Sequence, residues 1–389
     1  MSVIPFLSVP ASPIATRSGI FATRFPRLAA AMLALLALSL APAARADQSF
    51  CVDDFAGLKT ALASWTTASD GSTITIELVQ GSYDFDGADN TLDLQQPLHA
   101  ASLKLLGGYA PGCAEDARVV DARNTVIDGY EESNSRVGLA DVDGDVLFEG
   151  ITFTGLTYGV QIVHLFGASS SGHSFAIDHS RIVRNLNQSG EPGYALRLWG
   201  FGSNGGSGAD VAIRNCLIAD NDDRGFGTFG ILSTGSGGRI TLTNSTIANN
   251  LADAGFALQS VADVAGVDFE VIDDIAWHNG SNGNWHDLDV SSASTPPAIT
   301  YTNAGVIVGA IEPTSTNSSA SPHFLDDGDG NYHLDAGSPA LDSGASSQPD
   351  DFPALDLDGN PRLQGVAIDR GAYEALPGDL IFFDGFAAQ

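Results

Sequence analysis

Leu242-Thr-Asn-Ser-Thr-Ile-Ala-Asn-Asn250 decides the fold, because the same nine-residue block recurs along the chain. It aligns without gaps with Ile177-Asp-His-Ser-Arg-Ile-Val-Arg-Asn185, Ile213-Arg-Asn-Cys-Leu-Ile-Ala-Asp-Asn221 and Val271-Ile-Asp-Asp-Ile-Ala-Trp-His-Asn279. A weaker copy, Phe148-Glu-Gly-Ile-Thr-Phe-Thr-Gly-Leu156, precedes them. Successive copies begin 29, 36, 29 and 29 residues apart, so one coil carries a seven-residue insertion. Self-similarity at a fixed period identifies a stacked array, in which each unit buries its apolar face against the next.

The first and sixth residues of the four aligned blocks are apolar: Ile177 and Ile182, Ile213 and Ile218, Leu242 and Ile247, Val271 and Ala276. Stacked strands repeat about every 4.8 Å, so these positions form continuous core columns. The third position (His179, Asn215, Asn244, Asp273) and the ninth (Asn185, Asn221, Asn250, Asn279) suit left-handed turns and side-chain ladders. Most blocks are followed by a second short strand opened by glycine, as at Gly193-Tyr194 and Gly255-Phe256. Each coil therefore holds at least two strands. The expected fold is all-β.

These columns resemble the right-handed parallel β-helix proteins of the pectate-lyase-like group. The resemblance implies a right-handed solenoid but specifies no activity within it. Cys51 to Gly129, with Gly107-Gly-Tyr109 and Asn124-Thr-Val-Ile-Asp-Gly129, is similar to the amino-terminal part of secreted bacterial β-helix proteins. Residues 326–375, with Asp356-Leu-Asp-Gly-Asn-Pro-Arg362 and Asp369-Arg-Gly-Ala-Tyr-Glu374, resemble a choice-of-anchor Q terminal domain. That resemblance implies export to the cell surface or beyond. The final segment, 376–389, lacks a hydrophobic helix, a basic end or a sortase-type motif.

Residues 1–46 read as a cleaved secretory signal. Arg17, Arg24 and Arg27 precede the apolar run Leu28–Leu40, which is too short for a permanent span, and Ala44-Arg-Ala46 supplies the small residues of a cleavage site. Cleavage is expected between Ala46 and Asp47, which places the protein outside the cytoplasm, secreted or on the surface. No later stretch has the length of a transmembrane helix. The full chain carries 17 basic and 47 acidic side chains; removing four arginines leaves 13 basic residues and a formal charge of −34. Such a charge opposes nucleic acid as a partner. A polysaccharide or cell-surface glycan is the expected partner class.

The mature chain divides into an amino-terminal cap and first strands (47–120), coils (121–290), an irregular connection (291–325), the terminal module (326–375) and the tail (376–389). In the cap, Phe55, Leu58, Leu62 and Trp65 share one face of a short helix that Asp53 or Asp54 can cap. Cys51 and Cys113 are expected to close a disulfide loop in an oxidising compartment, leaving Cys216 as a small buried thiol.

Chemistry is sought on the outer face. The eighth block position gives an outward row, Arg184, Asp220, Asn249 and His278. Asp222, Asp223 and Arg224 follow in the adjoining turn. A polysaccharide lyase would use such carboxylates to hold Ca²⁺ and a basic group to take a proton; a glycoside hydrolase would use two carboxylates. Asp220, Asp222, Asp223 and Arg224 are therefore the catalytic candidates. Asp326, Asp327 and Asp329 are candidate Ca²⁺ ligands, although their spacing departs from the helix-loop-helix calcium motif. Trp199 and Trp285 are candidates for stacking on sugars. The favoured expectation is a binding or structural module, with a lyase or glycosidase as its rival.

Overall fold

The computed structural model describes residues 47–85, 91–95, 101–132, 134–140, 142, 144–163, 173–186, 195–201, 210–222, 229–233, 239–252, 256–260, 268–281, 284–293, 295–346 and 352–376. The signal segment, the cleavage position at Ala46, and Asp223 and Arg224 lie outside these residues. Among the described residues, no helix is long and apolar enough to cross a membrane.

The chain is a right-handed parallel β-helix. Each full coil contributes three strands, as in Ser174–Asp178, Arg181–Val183 and Leu196–Phe201, one to each of three parallel sheets. The first sheet has nine strands, running from Gln48–Val52 through Thr73–Val79 and Ser102–Tyr109 to Ala298–Thr300. The second and third sheets have eight strands each, ending at Asn303–Ala304 and Ile307–Val308. Stacking therefore begins well before the nine-residue blocks and continues past them into the stretch read as irregular. Those last strands, two or three residues long, pair with the preceding coil, Ile299 opposite Val271 and Ala304 opposite Ala276.

Register follows the sequence alignment. Ile177, Ile213, Leu242 and Val271 are paired in line, and all are essentially buried. The seven-residue insertion leaves this register intact, since Ile177 still faces Ile213 and Ile182 still faces Ile218. Extra residues between strands cost only slowly growing loop entropy, whereas a one-residue slip would turn the whole core outward.

The third and ninth positions have separate tasks. His179, Asn215, Asn244 and Asp273 adopt left-handed φ values of 42°, 50°, 49° and 62°, a conformation that Asn and Asp tolerate better than most residues. The ninth-position asparagines form a buried ladder. Asn185 Nδ2 donates to Asn221 Oδ1 at 3.0 Å, Asn221 to Asn250 at 2.9 Å, and Asn250 to Asn279 at 2.8 Å. Asn279 then donates to Asp287 Oδ1, which ends the series. A shorter ladder runs beside it at the fourth position, where Cys216 N donates to Ser245 Oγ and Ser245 N to Asp274 Oδ1. The Cys216 thiol is fully buried and burial pushes its pKa upward, so it is an inert core group.

The helix Phe55–Trp65 packs at the amino-terminal end. Asp54 caps it, accepting from Gly57 N at 2.6 Å, and Leu58, Leu62 and Trp65 are buried. Cys51 and Cys113 form a disulfide.

Candidate functional site

The second sheet explains why the expected outward row is not an open cleft. Its outward columns include Thr152, Arg181 and Leu217 in one line, and Val183, Ala219 and Ala248 in the next. The described residues of 324–346 and 352–376 fold back across them as a strap. Tyr332, Leu357, Ala372 and Tyr373 bury an apolar cluster with Val183, Leu217, Ala219 and Ala248. The small side chains at Ala219 and Ala248 allow this close approach.

The eighth-position residues do project outward, on left-handed φ values of 55° at Arg184, 58° at Asp220, 53° at Asn249 and 54° at His278. Two of them hydrogen-bond to the strap. Tyr332 Oη donates to Asp220 Oδ1 at 2.6 Å, and Asn249 Nδ2 donates to Asp327 Oδ2 at 3.2 Å. Burial raises the Asp220 pKa, against the opposing influences of the Tyr332 hydroxyl and Arg184. Burial also raises the Tyr332 pKa, reinforced by the hydrogen bond to Asp220. Asp220 thus serves the strap's attachment. Asp222 lies one step along in an isolated bridge register with Leu186 and Leu251.

Asp327 and Asp329 occupy a tight 3₁₀ turn, Asp327–Asp329, between the antiparallel strands Phe324–Asp326 and Asn331–Leu334. Among the described residues, no group of three or more His, Cys, Asp and Glu side chains has the arrangement of a metal site. Asp326, Asp327 and Asp329 are therefore not gathered into a ligand set. The pattern is local in sequence, whereas ligand convergence depends on where each carboxylate points after the turn forms.

Buried charge fastens the strap's far end. Arg362 is 3% exposed, and its Nε donates to Asn215 Oδ1 at 3.1 Å. Its Nη1 donates to the Gly371 carbonyl at 2.8 Å, and its Nη2 to the Asn244 and Ala372 carbonyls at 3.2 and 3.1 Å. Arg370 Nη2 donates at 2.8 Å to the carbonyls of both Thr316 and Ser343. The motif containing these arginines was legible in the sequence; the third-position residues Asn215 and Asn244 as receptors of Arg362 were not.

An open surface lies elsewhere, on the outer face of the first sheet. A groove of about 410 Å³ runs across its strands. Leu147 and Ala176 form part of the floor, and the register continues to Ala212. Ser102, Ser174 and Asp145 line one side; Lys104 and Arg214 supply positive charge. Asp145 Oδ1 accepts from Ser174 N at 2.7 Å and from its hydroxyl at 3.0 Å, and Arg214 pairs with Asp178 at 3.1 Å. The polar side chains are thus held in place by neighbouring coils. Sequence reasoning passed over this face because its residues are ordinary strand residues, alternating with the core. Of the aromatic candidates, the side chains of Trp199 and Trp285 lie outside the described residues.

No protein-family model matches the chain, and no curated protein matches it. Among solved structures, the chain is similar to the crystal structure of pectate lyase Pel9A, with a TM-score of 0.37 and 13% identity over 85% of this chain and 97% of that chain.

Proposed function

We propose that this protein is an exported β-helix that binds an extended glycan along the outer face of its first sheet, acting as a surface or secreted binding module. The groove across that sheet carries this reading. Outward side chains repeat there along the stack axis at about 4.8 Å, so a polymer of repeating units can meet a repeating set of hydroxyl and charged groups. The small floor residue Ala176 leaves room for a sugar ring, and Ser102, Ser174 and Asp145 offer hydrogen-bonding partners for sugar hydroxyls. The export signal and the terminal segment's resemblance support the extracellular setting.

A lyase or glycosidase centred on Asp220 is less well supported, because Asp220 is engaged by Tyr332 beneath the strap. The test is calorimetry and affinity electrophoresis of the protein without its leader, on neutral and acidic polysaccharides, with and without Ca²⁺. Binding without release of product, weakened by Ala176→Trp, supports the proposal. Turnover that is abolished by Asp220→Asn and left unchanged by Ala176→Trp refutes it in favour of the enzyme.

A further inference from the structure

Between the second sheet and the strap lies a separate cavity of about 170 Å³. Two arginines, Arg181 and Arg184, line it together with Thr152, Thr154, Asp220 and Tyr332. About 10–15 Å³ of such space accommodates one water, so the cavity has room for a small polyatomic ion and its hydration.

Its electrostatics are unusual for so acidic a chain. Neither arginine has an ion-pair partner within 4.0 Å among the described residues, although 47 carboxylates are available in the sequence. The nearby acids are already committed. Asp220 accepts from the Tyr332 hydroxyl, and Asp358 pairs with His333 Nε2 at 2.6 Å and with Arg123 Nη2 at 3.1 Å. The Arg181 Nε is buried with no hydrogen-bond partner. A buried donor left unsatisfied is destabilising, and more so on a charged group. A ligand that accepts from it removes that cost.

We propose that this cavity binds a small oxyanion of the phosphate or sulfate type, held by Arg181 and Arg184. Guanidinium groups present planar forks of donors that match such oxygens. Thr154 adds a hydroxyl from the adjacent strand. The strap supplies the other wall, so bound anion tightens its attachment to the coils. This site lies on a different sheet from the glycan groove and does not depend on that reading.

Thermal unfolding and calorimetry of the full mature protein test the site. Inorganic phosphate and sulfate are compared with sodium chloride at equal ionic strength, and a sulfated monosaccharide supplies the ester-borne form. Phosphate or sulfate is expected to raise Tm above the chloride control. Arg184→Gln, at an exposed position, is expected to weaken binding roughly ten- to a hundredfold, the loss of one charged hydrogen bond. Arg181→Gln behaves alike, and Arg184→Lys recovers part of the affinity. Binding of the ester alone, lost in the same variants, supports the site and identifies its source as a larger ligand. Absence of any effect beyond chloride overturns the proposal, as does binding unchanged in both glutamine variants.

Discussion

Arg362 Nε lies 3.1 Å from the Oδ1 of Asn215, a residue 147 positions earlier in the chain. This contact joins the strap to the turn column of the β-helix. Burial lowers the Arg362 pKa, while Asp356, Glu374, Asp273 and Asp369 act to keep it charged. Replacing Arg362 with Met should destabilise the protein by about 3 kcal/mol, because it strips a charged donor from the Asn215 amide oxygen and from buried carbonyls and leaves the surrounding carboxylates without its charge. Chemical denaturation measures that loss. Limited proteolysis should then cut within residues 324–376 before the coils; equal resistance of strap and coils would contradict the assignment.

The asparagine ladder predicts unequal costs along one column. Asn221 Oδ1 accepts from Asn185, while its Nδ2 donates to Asn250 Oδ1 and to the Ile182 carbonyl at 2.9 Å each. Asn221→Ala should cost about 2–3 kcal/mol through buried groups left unsatisfied. Asn221→Asp keeps the acceptor but sets a carboxylate against Asn250 Oδ1, so it should also destabilise. Denaturation midpoints equal to wild type would remove the ladder from the stability account.

Stability should fall as pH rises between about 4.5 and 8. Burial raises the Glu374 pKa from 4.5 to about 8, with Asp369 adding to the effect. A carboxyl whose folded pKa exceeds its unfolded value holds a proton that the unfolded chain has released. Its stabilising contribution is complete below the unfolded pKa and is lost as pH climbs through the folded one. Burial raises the Asp274 and Asp369 pKa values too, which acts in the same direction. Glu374→Gln should flatten the Tm profile across that window.

Reduction should loosen the amino-terminal cap. The Cys51–Cys113 bridge joins residues 62 apart in sequence, and closing a loop of that length is worth about 4 kcal/mol on the chain-entropy account. Cys51→Ser together with Cys113→Ser should lower Tm, and hydrogen exchange should quicken first around the helix Phe55–Trp65.

Glycan binding should follow the first sheet. Lys104→Ala and Ala176→Trp should each weaken it, whereas Asp220→Ala, which takes the acceptor from the Tyr332 hydroxyl, should leave it intact while lowering strap stability by about 1 kcal/mol, the worth of one ordinary hydrogen bond. Affinity electrophoresis of the three variants on one polysaccharide makes the comparison.

Sequence by itself determined the solenoid, its period, its core columns and the capping helix, because these depend on local periodicity that stacking copies from coil to coil. The pairing of Ile177 with Ile213 across an insertion was already implicit in the aligned blocks. Only the tertiary structure decided which outward residues meet solvent. Asp220 belongs to the row nominated for chemistry, yet Tyr332, 112 residues later, covers it. No periodic signal connects those two positions, since the strap has no repeat to align with the coils. For the same reason, the open groove at Lys104 and Ala176 emerged only once neighbouring coils had brought distant strand residues side by side.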